Sequence, residues 1–407
     1  MRITRSEVFV LGDPPAPGPV DDRIAALAFL RLHTDQGLTG LSEVFSVPPG
    51  VARAVLDGPD SLFGRRLLGE DPVAPEHLTR RLYGELLHSN RRGWAIVCLG
   101  AVDVALWDLF GKALGRPVYQ LLGGAERAWG QRWDLAEAPP AADVGGPPGQ
   151  EGTGDRHTAR EVVPYGTIVS AGWDAASVLR EQVARAVRLC DLGYRAVKVE
   201  PMRSAPETVV ELARRTREAI GPQRMLAVDV GYLWDDVGLA LQVAEGLLAA
   251  GVFFLETPFP VDSLAAYAEL AAKTRLRIAA GEHSVTRWEF LDLLDRGGVR
   301  VAQPYATTAG GLTEARRVVD LAQARGALVC PGNWSTHVLG AANVHLAAYS
   351  PVTPYVESAP PELYWSPLRR AIQEVGLPAV GGAIALPESP GLGVDLPDDL
   401  IRRFRIG

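Results

Sequence analysis

The sequence predicts an α/β protein: a (β/α)8-type barrel with an N-terminal α+β domain that the C-terminal tail completes. Three observations carry this. The chain has 407 residues, more than one hydrophobic core organises, so a large barrel with a smaller attached domain fits the length. Between residues 161 and 358, short apolar runs alternate with amphipathic segments, the pattern of repeated βα units around a parallel sheet. With 47% apolar and 22% charged residues, the chain has ample material for a dry core.

Taken in order, residues 1–125 open with strand-like text. Two apolar runs, Ile24–Leu32 and Gly37–Val44, are parted by a Gly turn like the arms of a hairpin. Val102, Ala105, Leu106 and Leu109 then recur at three and four, one face of an amphipathic helix. Residues 126–160 are crowded with Gly, Pro, Ala and charged residues without periodicity, and read as an exposed insertion. Eight strand candidates follow: Val163–Val169, Ala196–Glu200, Met225–Asp229, Val252–Glu256, Arg277–Ala280, Val299–Gln303, Ala327–Cys330 and Pro354–Glu357. Eight such units suit a closed barrel, although an imperfect last unit or a doubly wound sheet gives similar text. Segment 359–407, rich in Pro and Gly, is expected to return to the first domain.

Charge and cysteine content exclude several classes. The 41 basic and 48 acidic residues give −7, with no dense Lys/Arg tract to follow a phosphate backbone, so nucleic acid is not an expected partner. Cys98, Cys190 and Cys330 are scattered, odd in number and lack CxxC spacing, which argues against a disulfide framework or a thiolate zinc site and suits a reducing cytoplasm. The first residues are too short an apolar run for a secretory core, and no later stretch is expected to span a membrane.

The chemistry is signalled by where acids fall. Asp229 ends the third strand candidate, Glu256 ends the fourth, and Glu282 follows the fifth. In a barrel the C-terminal strand ends converge on one mouth, so three acids there need a cation. An all-carboxylate set suits a hard ion such as Mg²⁺. The plain alternative is that such acids cap helices or pair with Lys and Arg on a solvated rim. Lys198 lies inside an apolar strand run, on the same face as Glu200 two residues on, a costly placement without a purpose.

These residues resemble the mandelate racemase/muconate lactonizing branch of the enolase superfamily over nearly the whole chain. The resemblance rests on Asp103–Gly124, on Gly281-Glu-His-Ser with Glu289, on Gln303-Pro followed by Gly310-Gly-Leu-Thr-Glu, and on Pro390-Gly-Leu-Gly-Val. It implies a capping domain over the barrel, Mg²⁺ on Asp229, Glu256 and Glu282, a small carboxylate substrate and a homo-oligomer. A family Lys-x-Lys pair becomes Lys198-Val-Glu200, placing Glu200 where a base is expected, with Lys198 toward the substrate carboxylate. The family's Asp–His dyad is missing: the positions read Gln303-Pro304-Tyr305 and Pro331-Gly332. Glu357 matches a glutamate that hydrogen-bonds the substrate carboxylate in some members, and is expected to be protonated for that task.

The remaining chemistry is abstraction of the proton α to a carboxylate through a metal-stabilised enolate. With one obvious face, elimination by a lyase, a dehydratase of a hydroxy or sugar acid, is preferred. The alternatives are a racemase, epimerase or cycloisomerase drawing on His283, His337 or Tyr305, and a repurposed homologue that only binds metal and ligand. Each His, and Tyr305, also has the bland reading of a packed or solvated side chain. Tyr165 on the first strand candidate is a candidate substrate contact, and Asp13 with Val44–Pro49 corresponds to loops that close over substrate.

Overall fold

The computed structural model describes residues 1–14, 24–88, 90–124 and 161–407. The 126–160 insertion lies outside the described residues. Strands β1 (Ile3–Leu11), β2 (Leu27–Thr34) and β3 (Thr39–Val44) form an antiparallel sheet in that order. β2 and β3 are the expected hairpin, turning at Gly37 with φ +77°. β1 carries no clean alternation because its second half, Val8 to Leu11, is buried on both faces. Its outer edge is covered by the tail, where Ile406 N–H donates to the Val10 carbonyl at 3.0 Å and Leu11 bridges Arg405.

Five helices follow: α1 (Pro49–Leu56), α2 (Gly64–Leu67), α3 (Pro75–Leu86), α4 (Trp94–Leu114) and α5 (Val118–Leu122). α4 corrects two expectations. It is buried all round rather than on one face, and by length and composition it is apolar enough to cross a membrane; 89% of its apolar window is buried inside the protein, which makes it a core helix. Its two buried acids are spent on backbone amides of other segments. Asp103 accepts from Thr313 N–H at 3.0 Å and Thr79 Oγ1 at 2.8 Å. Asp108 accepts from Leu41 N–H at 2.9 Å, Leu392 N–H at 2.8 Å and Lys112 Nζ at 2.7 Å. One helix thus ties sheet, barrel and tail together.

The second domain opens with the short β4 (Glu161–Val162) and then alternates: β5 (Pro164–Ile168), α6 (Ala175–Asp191), β6 (Ala196–Val199), α7 (Pro206–Ile220), β7 (Met225–Asp229), α8 (Val237–Ala249), β8 (Phe254–Glu256), α9 (Leu264–Lys273), β9 (Arg277–Ala280), α10 (Thr286–Asp295), β10 (Val301–Ala302), α11 (Leu312–Ala324), β11 (Leu328–Val329), α12 (His337–Tyr349) and β12 (Val356–Ser358). The strands make one parallel sheet in the order β11-β10-β9-β8-β7-β6-β5-β12. Between its two ends, Glu357 N–H donates to the Pro331 carbonyl at 2.9 Å, which joins the seventh and eighth staves of a barrel. Its interior is plugged by Tyr165, Ala196, Met225, Ala227, Phe254, Ala279, Val301, Cys330 and Tyr355, drawn from every strand or its flank. The tail adds α13 (Pro367–Val375), β13 (Ala379–Val380), β14 (Ala383–Ala385) and α14 (Asp398–Phe404); β14 pairs with β4, and the last residues return to β1 as expected.

Candidate active site

Successive inward side chains on a strand lie two residues apart, so the residues two beyond the plug form the next layer toward the C-terminal mouth. That layer is polar: Thr167 on β5, Lys198 on β6, Asp229 on β7, Glu256 on β8 and Glu357 on β12. Asp229 and Glu256 are direct register partners on neighbouring strands. Backbone strain gathers at the same end. Among the described residues, the non-glycine positions with positive φ are Arg203, Tyr232, Thr257 and Thr286, on the connections after β6, β7, β8 and β9, and Ser46, on the loop after β3. Such residues persist where the surroundings over-determine them, which is common at functional mouths.

Lys198 organises the layer. Its ammonium lies 2.9 Å from Glu256 Oε2, 2.9 Å from Glu357 Oε1, 3.3 Å from Asp229 Oδ2 and 3.5 Å from Glu200 Oε1, and the side chain is 2% exposed. Burial opposes its charge, but Glu256 and Glu357 outweigh that and hold the ammonium well above its ordinary range. Lys198 is therefore a fixed cation, a charge partner instead of a free base. Burial, and secondarily like charge, push Glu200 and Glu256 well up and Glu282 to about 7. Four carboxylates around one ammonium leave the site short of positive charge.

Each acid is held by its own neighbours. The Glu200 backbone is clamped by Gln182 of α6, which accepts from its N–H at 2.9 Å and donates to its carbonyl at 2.8 Å. Asp229 Oδ1 accepts from Thr257 Oγ1 at 2.7 Å and Gly231 N–H at 2.9 Å. Glu357 accepts from Thr167 Oγ1 at 2.6 Å, Asn333 N–H at 2.7 Å and Tyr305 OH at 3.0 Å, besides Lys198. Glu357 is thus held on all sides, by an ammonium, a backbone amide and two hydroxyls.

Tyr305 explains Gly332. A Cβ built on Gly332 would lie 1.9 Å from Tyr305 Cε2, so the tyrosine ring fills the space that a side chain at 332 would use. Phe45, from the loop after β3, stacks on that ring at 5.2 Å and 13°. The first domain is latched to the same mouth through buried Glu43, which accepts from Ser335 Oγ and from Thr336 Oγ1 at 2.5 Å.

Other candidates fall elsewhere. Tyr165 belongs to the plug, one layer below the acids, with Lys198 Nζ 5.6 Å from its ring centre. It is a fully buried floor under the ammonium. His337 begins α12 against Gly376 of the tail, and burial lowers it to about 4, so it is neutral near pH 7. His283 stands 3.7 Å from Glu282, stacked on Tyr232 at 5.5 Å, with its side chain largely exposed. Asp13 is structural, accepting from Leu368 N–H at 2.7 Å and Ile24 N–H at 3.0 Å. Thr167 and Asn333 were missed by sequence reasoning; Thr167 was findable, being two residues beyond Tyr165 on an inward face.

Among the described residues no three His, Cys, Asp or Glu stand close enough to hold a metal as arranged. Lys198 sits against both Asp229 and Glu256, and Glu282 faces His283. The donor chemistry nonetheless suits a hard divalent ion: Asp229, Glu256 and Glu282 offer only carboxylate oxygens in a buried region with excess negative charge.

Known proteins resemble the chain along its length. The family described as "Enolase C-terminal domain-like" matches residues 179–400, and "Mandelate racemase / muconate lactonizing enzyme, N-terminal domain" matches residues 16–123. An arabinonate dehydratase of Saccharolobus solfataricus is 27% identical, covering 92% of this chain and 89% of that protein. A D-galactarolactone cycloisomerase of Agrobacterium fabrum is 28% identical, with 94% and 92% covered. The crystal structure of a 3,6-anhydro-D-galactonate cycloisomerase from Zobellia galactanivorans superposes with a TM-score of 0.81 at 25% identity over both full chains. A Streptomyces coelicolor racemase with bound magnesium shares the fold, with a TM-score of 0.79 at 23% identity over 99% of this chain and 100% of that one.

Proposed function

The chain belongs to the mandelate racemase/muconate lactonizing enzyme branch of the enolase superfamily, as an enzyme of lyase or isomerase type, and on that premise we propose that it is a Mg²⁺-dependent dehydratase of a hydroxy or sugar acid. The observation that carries the reading is the asymmetry of the mouth. Lys198 and Glu200 stand together at the end of β6, while on the opposite side Gly332 has no room for a side chain and the Tyr305 phenol, which burial keeps protonated, can give a proton but not take one. A two-base racemase needs on each side of the α carbon a group that can take the proton as well as give it. An elimination needs one base and help for the leaving group.

Asp229, Glu256 and Glu282 would hold Mg²⁺, which, when bound, offsets the charge of the enolate formed beside a carboxylate. Lys198, kept charged by its acidic neighbours, orients the substrate carboxylate. Glu200 accepts the α proton; burial raises its proton affinity toward that task. As the Cβ–O bond breaks, the departing hydroxyl takes the proton of Tyr305 and leaves as water, and solvent returns a proton to the tyrosine. Strands β6 and β10 are four apart in the eight-strand order, so Tyr305, just beyond β10, approaches from across the mouth from Glu200.

The similarity to two cycloisomerases supports a second reading in which the departing oxygen belongs to a ring. The deciding experiment is a screen of acid sugars and their lactones with Mg²⁺, read by 2-keto acid formation. Turnover that is lost in Lys198→Met supports the proposal. Failure of every polyhydroxy acid, with ligand binding intact, would instead support a repurposed binding protein.

A further inference from the structure

A cavity of about 470 Å³ lies between the two domains, beside the acids but lined by different residues. Two pairs of adjacent residues straddle the wall between them. Phe45 stacks on Tyr305 while Ser46, forced to φ +58°, lines the cavity. Glu282 belongs to the candidate metal set while His283 lines the cavity. The cavity therefore adjoins the reaction site, with the His283 ring 3.7 Å from Glu282, and its volume lies in the range that encloses an organic ligand.

Its chemistry is selective. Trp94, the first residue of α4, is 52% exposed at the cavity, and an exposed indole beside polar groups offers a flat face to the C–H side of a sugar ring. Asp262, Glu289 and Asp292 line the cavity, Glu289 engaged by Arg92 at 2.8 Å and Asp292 by Arg296 at 3.4 Å, so the acids outnumber the two guanidiniums beside them. Acceptors in this excess suit hydroxyl groups and repel a second carboxylate.

We propose that this cavity is a distal subsite for a neutral, hydroxylated ring, so that the substrate is a monocarboxylic acid carrying a sugar-like ring at its far end, and not a diacid. The inference rests on the reading of the reaction above, but its test separates the two. Binding of methyl β-galactopyranoside, a neutral glycoside with no carboxylate, is measured by titration calorimetry on the full-length wild type and on Trp94→Ala. Turnover of galactonate, lactobionate and galactarate is measured in parallel. Expected are glycoside binding that Trp94→Ala weakens tenfold or more, a higher kcat/KM for lactobionate than for galactarate, and a loss in Trp94→Ala that falls on KM and is larger for lactobionate than for galactonate. Glu289→Gln with Asp292→Asn should raise kcat/KM for galactarate. No glycoside binding, equal effects of Trp94→Ala on all three acids, or galactarate as the preferred substrate overturns the subsite. Glycoside binding without turnover of any acid leaves the subsite standing and removes the dehydratase reading.

Discussion

Gly332→Ala is the sharpest test of how the mouth is built. The added methyl would lie 1.9 Å from Tyr305 Cε2, 2.5 Å from Cδ2 and 2.7 Å from Cζ, so the ring must move by more than an ångström. It is not free to do so: Phe45 stacks on one face and its hydroxyl holds Glu357 at 3.0 Å. Overpacking a filled site costs about 1–3 kcal/mol. Breaking the bond from Tyr305 to a charged carboxylate adds about 1.5–3 kcal/mol. The variant should therefore lose about 3–5 kcal/mol in urea denaturation, a large share of the roughly 5–15 kcal/mol that holds a domain together. Gly332→Ala with Tyr305→Ala removes the clash, so the double variant should be more stable than the sum of the two single losses by at least about 1 kcal/mol. If Gly332→Ala alone stays within about 0.5 kcal/mol of wild type with undiminished turnover, the ring does not occupy that space and the steric account of the missing side chain is wrong.

Further outcomes follow from other buried charges. Lys198→Met leaves four carboxylates without their ammonium and should destabilise by about 3–5 kcal/mol; in thermal denaturation, added Mg²⁺ should raise its Tm more than that of wild type. Calorimetric titration with Mg²⁺ should give a binding heat in wild type that Asp229→Asn and Glu282→Gln each abolish while circular dichroism shows them folded; unchanged heats would remove both from the ligand set. Burial raises Asp103 from 3.8 to about 6, so the folded state holds that proton more tightly. Its contribution is complete below pH 3.8 and is lost as pH rises through 6, about 3 kcal/mol in all. Asp103→Asn keeps an acceptor for Thr313 N–H, so its stability relative to wild type should rise by about that amount between pH 4 and 6.5, and a flat difference would refute the assignment.

Much of the barrel was legible because its strands are buried on both faces and read as apolar runs, each closed by a polar group or glycine. The acids were legible for the same reason: Asp229 and Glu256 terminate apolar text where alternation alone would not place a charge. β1 was not, since the tail covers the half that would otherwise alternate. α4 was misread as one-faced because its buried acids, Asp103 and Asp108, look like solvent residues until their distant amide partners are known. The missing dyad was visible as Gly332 and Tyr305, but no local pattern says that one residue's ring fills the other's place. That relation joins β10 to β11 through space, and only the closed barrel supplies it.

The long Asp103–Gly124 stretch carries part of the sequence resemblance and yet no reacting group, and the contacts show what it does instead. Asp103 and Trp107 reach Thr313, the latter through a 3.0 Å bond to its hydroxyl; Asp108 and Lys112 fasten α4 to β3, and Asp108 fastens it to the tail as well. At the far ends of these bonds stand Gly311 and Gly391, where a Cβ would fall 2.3 Å from Asp103 Cβ and 2.2 Å from Asp108 Oδ1. Both glycines also hold positive φ, +103° and +76°, so neither backbone nor space admits another residue cheaply. What this stretch fixes is the position of the first domain over the mouth: β3, which Asp108 anchors, carries Glu43 and leads directly into Phe45 and Ser46. Those three residues meet, in turn, the loop after β11, the Tyr305 ring and the cavity beside the acids. Residues that touch no substrate can in this way govern catalysis by setting the distance between a lid and a barrel.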